Sequence, residues 1–137
     1  MVIKPKQPTI KAPGDTFTGD AWYDVIARGE EPSRVRVSVV RFAPGARNAW
    51  HVHAMGQTLH VTEGLGRIQA RGGAVLAIRA GDTVHTEAGE WHWHGAAPDH
   101  FMTHLAIWEA PETGPESEWG EQVPDAEYLA PAREPTR

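Results

Sequence analysis

GARNAWHVHAMGQTLHVTEG, running from Gly45 to Gly64, decides how this chain is read. Side chains on a strand alternate between faces, so His51 and His53 point the same way. Two imidazoles at that spacing can close on one ion, with metal–nitrogen bonds of roughly 2.0–2.2 Å. Gln57 follows past Gly56, where a turn can return its amide oxygen to the same point. A second stretch, GDTVHTEAGEWHWHGA from Gly81 to Ala96, offers His92 and His94 on one strand face. All eight histidines fall between His51 and His104.

Around these segments the chain reads as many short strands. RVRVSVVRFA, residues 34–43, is the clearest, rich in β-branched residues. AWYDVIAR, residues 21–28, is a second. Others are expected over residues 48–53, 57–63, 66–71, 74–78, 83–86, 92–94 and 101–109. Turn signals separate them at Gly56, Gly64, Gly72–Gly73, Gly81–Asp82, Gly89–Glu90 and Pro98–Asp99. The 14 glycines and 11 prolines leave little room for long helices, and no segment before Pro111 keeps a 3.6-residue period. An all-β sandwich or barrel follows. Its core spans about residues 21–110 of a single 1–137 domain. Residues 1–20 read as an irregular arm. Residues 111–137 form a C-terminal extension, with one or two helical turns around Glu116–Tyr128 packing Trp119, Val123 and Tyr128. Residues 131–137 are expected to be disordered.

Composition excludes several functions. The 137 residues carry a net charge of −5 and no basic stripe, so nucleic acid is not an expected partner. There is no cysteine, hence no disulfide and no thiolate site; a metal must bind through nitrogen and oxygen. MVIKPKQPTIKAPG has no apolar core of signal-peptide length, and no run is long enough to span a membrane. The expected location is the cytoplasm.

The two histidine stretches resemble the paired motifs of the cupins. In the first motif, Gly45, His51, His53, Gln57 and Gly64 occupy every position. In the second, Gly81, Gly89 and His92 fit, while Glu87 replaces a proline and Ala96 an asparagine. The resemblance covers roughly residues 34–110 and implies a double-stranded β-helix, or jelly-roll barrel. It also implies one divalent metal ion held by His51, His53, Gln57 and His92. AWHVHAMGQTL, GDTV, HWHGAAP and MTHLAI further resemble small bacterial cupins that act as manganese-dependent hydroxynitrile lyases. Such enzymes split a cyanohydrin reversibly into an aldehyde and hydrogen cyanide. That resemblance implies manganese ahead of iron, nickel, zinc or cobalt, and places His94 and His104 in the pocket as catalytic candidates. One departure is Trp108, where active lyases have a glutamine; an indole fills space and removes an amide. Cupins commonly pair through the outer sheet, so a homodimer or homotetramer is expected.

Physical roles follow from residue type. The ligand histidines must be neutral to bind, so affinity should fall below the ordinary imidazole pKa of about 6.5. Neutral Gln57 leaves the ion its full charge, which favours Lewis-acid chemistry over the carboxylate-bearing iron centres that activate oxygen. His104 shares a strand face with Met102, Ala106 and Trp108, and is either the general base or a hydrogen-bonded core residue. His94 is either a base or a structural neighbour of the ligands. Ser38, Val40 and Phe42 form another candidate pocket face, and Met102 and Trp108 are pocket candidates too. Trp50, Trp91 and Trp93 alternate against the ligands and should pack on another layer. A small-molecule lyase is the leading expectation. A cupin dioxygenase of a small organic substrate and a non-enzymatic ligand-binding cupin are the alternatives.

Overall fold

A computed structural model describes all 137 residues. Its elements in chain order are β1 (Ile10–Lys11), β2 (Phe17–Thr18), β3 (Ala21–Arg28), β4 (Val35–Phe42), β5 (Arg47–Asn48), β6 (His51–His53), β7 (Gln57–Ala70), β8 (Leu76–Arg79), β9 (Thr83–Thr86), β10 (His92–Ala96), β11 (Met102–Glu109), β12 (Ser117–Trp119) and α1 (Asp125–Tyr128). All strand pairs are antiparallel, and the sheet runs β1-β3-β4-β11-β7-β10-β5-β2 as it curls. The all-β jelly-roll barrel expected from the sequence is what forms.

β7 joins the two halves of the barrel. Its first half, from Gln57, pairs with β9 and β11; its second half, from Leu65, pairs with β8 and β10. Gly64 was expected to separate two strands but instead bends one. It sits at φ 82°, and a Cβ there would run into the Phe101 carbonyl. Only glycine fits, and pairing resumes on the far side. The opposite correction applies to 48–53. Those residues split into β5 and β6, because Ala49 N–H donates to Thr16 O and Trp50 N–H to Glu121 O. Those backbone groups bond to the two terminal segments rather than to a ladder.

The termini are more ordered than their composition suggests. In the N-terminal arm, β1 pairs with β3 and β2 pairs with β5. In the extension, β12 pairs with β6, the strand of the first two histidines. Residues 131–137, expected to be disordered, are anchored. Arg133 exchanges backbone hydrogen bonds with Val75 and Ala77, and Arg137 binds Asp82 at 2.8 Å. Local composition does not reveal such distant partners.

Two cores hold the molecule. The larger, inside the barrel, includes Val40, Phe42, Leu59, Val61, Ile68, Met102 and Ala106. The smaller joins Trp50, Val75 and Trp93 to Val123 and Tyr128. The layer over these tryptophans is therefore the chain's own extension. Tyr128 O–H donates to Ala96 O at 2.6 Å, and Trp93 Nε1 donates to Gln69 Oε1 at 2.8 Å, so both polar tips are satisfied. Trp119 does not join this layer; it lies on the other side of the extension.

Candidate metal centre

The antiparallel register puts His92 directly across from His51, and His53 lies two residues along on the same face. One ring nitrogen from each of His51, His53 and His92 falls within 4.8 Å of the others. All three side chains are buried. His51 Nδ1 lies 2.8 Å from Ala49 O, and His92 Nδ1 lies 2.9 Å from Glu90 O. A carbonyl can only accept, so each Nδ1 carries the proton and each Nε2 keeps a lone pair for the site. Gln57, at the start of β7, places Oε1 3.1 Å from His92 Nε2. With the amide so oriented, two lone pairs face each other across a gap that a cation would fill. Neither ring nitrogen of His53 has any hydrogen-bond partner. Buried polar atoms are rarely left this way, and an N₃O ion site would take one of these nitrogens together with the facing lone pairs of His92 and Gln57.

Burial also sets protonation. It holds His51 well below the ordinary imidazole range, with the charge of His92 adding to the effect. His53 is lowered to about 4 by burial and then by His92. His92 is lowered by burial. The three candidate ligands therefore stay neutral, in their metal-binding form, below the pH of about 6.5 that free imidazole implies.

The centre opens into a cavity of about 460 Å³. His51, His53, Gln57 and His94 line it, with Ser38, Val40 and Trp108 from the predicted pocket. Phe42 and Met102 do not line it. They are cross-strand partners deeper in the barrel, and belong to its core. Strand alternation identifies a face but not the depth at which the cavity ends. His104 is also set back from the wall, fully buried, with Nε2 3.0 Å from His94 Nδ1. Burial, followed by the charge of His104, keeps His94 well below its usual pKa; burial lowers His104 to about 4. The remaining histidines lie outside this constellation: His60 meets Thr83, His85 meets Thr58, and His100 meets the Phe101 carbonyl.

Several wall residues were not anticipated, among them Asn48, Glu116 and Trp119. Asn48 Oδ1 accepts from the His94 backbone N–H at 2.9 Å, and its Nδ2 lies 3.2 Å from both ring nitrogens of His94. The break between β5 and β6 turns Asn48 inward, which simple alternation does not foretell. Glu116 and Trp119 come from the extension. Trp119 stacks on His51 with ring centroids 4.7 Å apart, and Trp108 lies 5.5 Å from His53.

The Cupin domain family matches residues 38–108, half of the chain and the part that carries His51, His53, Gln57 and His92. The chain belongs to the cupin family. This cupin is 48% identical over 122 residues to an (R)-mandelonitrile lyase of Granulicella tundricola, covering 89% of this chain and 92% of that protein. A crystal structure of a cupin-like protein from Thermotoga maritima superposes with a TM-score of 0.82 at 39% identity, covering 86% of this cupin and 89% of that chain. A cupin-2 domain from Rhodospirillum rubrum shares the fold, with a TM-score of 0.69 at 17% identity over 88% of this chain and 77% of that one.

Proposed function

We propose that this cupin is a manganese-dependent hydroxynitrile lyase that cleaves cyanohydrins reversibly to an aldehyde and hydrogen cyanide. The observation that carries the reading is the neutral N₃O ligand set beside a buried His94–His104 pair, in a chain 48% identical to a mandelonitrile lyase. His51, His53, Gln57 and His92 would hold a divalent ion, which would supply Lewis acidity to the site when bound.

The chain's own residues handle the proton. Buried and neutral at pH 7, His94 can accept the proton of a cyanohydrin hydroxyl. The competent tautomer donates Nδ1–H to His104 Nε2 and keeps its lone pair on Nε2, where the substrate hydroxyl takes the place of the Asn48 amide, 3.2 Å away. As that proton leaves, the C–O bond becomes the carbonyl, and the C–CN pair departs with cyanide. Returning the proton from His94 to cyanide yields hydrogen cyanide and restores the neutral ring. His104 shares the transient charge through the 3.0 Å contact, and Asn48 fixes the backbone of His94. The apolar walls at Val40, Ala106 and Trp108 suit the substituent of a small organic substrate.

Assembly is part of the same reading. The outer face of β3 and β4 exposes Trp22, Ile26 and Val35, a patch suited to a second copy of the chain.

Benzaldehyde release from mandelonitrile tests the proposal. Manganese-loaded wild type should cleave it. His94→Ala should keep its metal and lose on the order of 10²–10⁴ in kcat. Undiminished cleavage by His94→Ala refutes the proton-transfer assignment.

A further inference from the structure

Glu116 stands at the rim of the metal cavity, outside the segment that defines the family. Its position is fixed by backbone pairing. Ala54 N–H donates to Glu116 O at 3.0 Å, and the next residue, Ser117, pairs with His53. The carboxylate serves two neighbours. Oε1 accepts from Arg36 Nε at 2.8 Å, and Oε2 accepts from Trp108 Nε1 at 3.2 Å. Arg36 and Trp108 are themselves cross-strand partners on β4 and β11. All three line the cavity.

We propose that Glu116 is a positioning residue that pins the Trp108 indole as the wall beside His53, so that the C-terminal extension sets the size of substituent the cavity accepts. A half-buried indole needs an acceptor for its N–H, and Glu116 is the one it has. Arg36 orients the carboxylate, since its side chain is 15% exposed and that of Glu116 30%, so the pair is largely shielded from water. Without Glu116 the indole loses its only hydrogen bond and is free to leave the wall. The size-setting role rests on the cavity being the substrate site proposed above; the positioning of Trp108 does not.

Indole N–H signals in ¹⁵N–¹H spectra of the zinc-loaded protein test the positioning directly. Six tryptophans give six such signals, and Trp108→Gln identifies the one that matters. In Glu116→Ala that signal should shift and exchange with water about fivefold faster or more, the consequence of one lost hydrogen bond. Glu116→Gln has one acceptor oxygen for two donors, Arg36 and Trp108, so it should recover at most part of the wild-type signal; the other five indole signals staying in place in Glu116→Ala separates positioning from a general loss of structure. In manganese-loaded samples, the ratio of kcat/KM for mandelonitrile to that for acetaldehyde cyanohydrin should change about tenfold in both Glu116→Ala and Trp108→Gln. An indole signal unmoved in Glu116→Ala overturns the positioning role. A moved signal with an unchanged ratio overturns the size-setting role. Failure to cleave any cyanohydrin would sink the lyase reading alone, and the indole signal would still decide where Glu116 holds Trp108.

Discussion

Acidifying the metal-free protein from pH 7 to pH 5 should destabilise it strongly. His53 and His104 have folded pKa values of about 4, against 6.5 for an exposed imidazole. The unfolded chain therefore binds more protons than the folded one below pH 6.5, and stability falls as pH falls. The contribution is complete above pH 6.5 and is lost progressively toward pH 4. At pH 5 each of these two groups costs about 2 kcal/mol, from a gap of about 1.5 pH units at 1.36 kcal/mol per unit. Together these two give a loss on the order of 4 kcal/mol, and His51, His92 and His94, lowered too, act in the same direction. That is a large share of the 5–15 kcal/mol typical of a domain, and corresponds to a fall in Tm of roughly 15 °C. The two lowered carboxylates, Asp24 and Asp82, do not confuse the window. Their stabilisation is present above the unfolded pKa of 3.8 and is lost only below it. Thermal melts by circular dichroism, with chelator present, read the effect. A Tm unchanged between pH 7 and pH 5 would show that these imidazoles are not buried and neutral, and the account of the site would fail with it.

Three further outcomes are expected. His51→Ala and His92→Ala should each lose most bound manganese by elemental analysis, and full occupancy in both would remove the ligand assignment. His104→Ala should keep its metal and lower kcat less than His94→Ala, because His104 reaches the cavity only through His94; a larger loss in kcat would make His104 the base. Light scattering at micromolar concentration should give at least a dimer, and Trp22→Glu should shift it toward monomer; a monomeric wild type refutes the pairing.

The convergence of the candidate ligands was legible from the resemblance to the paired cupin motifs, supported by strand alternation. HVH and HWH place histidines two apart on strands, and the motif glycines bend the chain to bring the strands together. His51, His53 and His92 come together, with Gln57 beside His92, as the resemblance implies. Depth was not legible. Phe42, Met102 and His104 lie on the right faces but below the cavity floor or behind its wall, and only the closing of the barrel decides that. Nor were the contributions of the extension. Glu116 and Trp119 lie in a stretch without strand periodicity, and they reach the site because β12 borrows the edge of β6. Gly64 carried the signal of a turn, and the same positive φ served instead to pass one strand between two halves of a barrel.

The most direct test of a metal-dependent lyase is a titration of metal-free protein with manganese, following mandelonitrile cleavage at each addition. The account predicts no cleavage at the start, a rise that saturates at one ion per chain, and no rise in His51→Ala. Full activity in the metal-free protein, or cleavage by the loaded protein no faster than by free manganese, would contradict it.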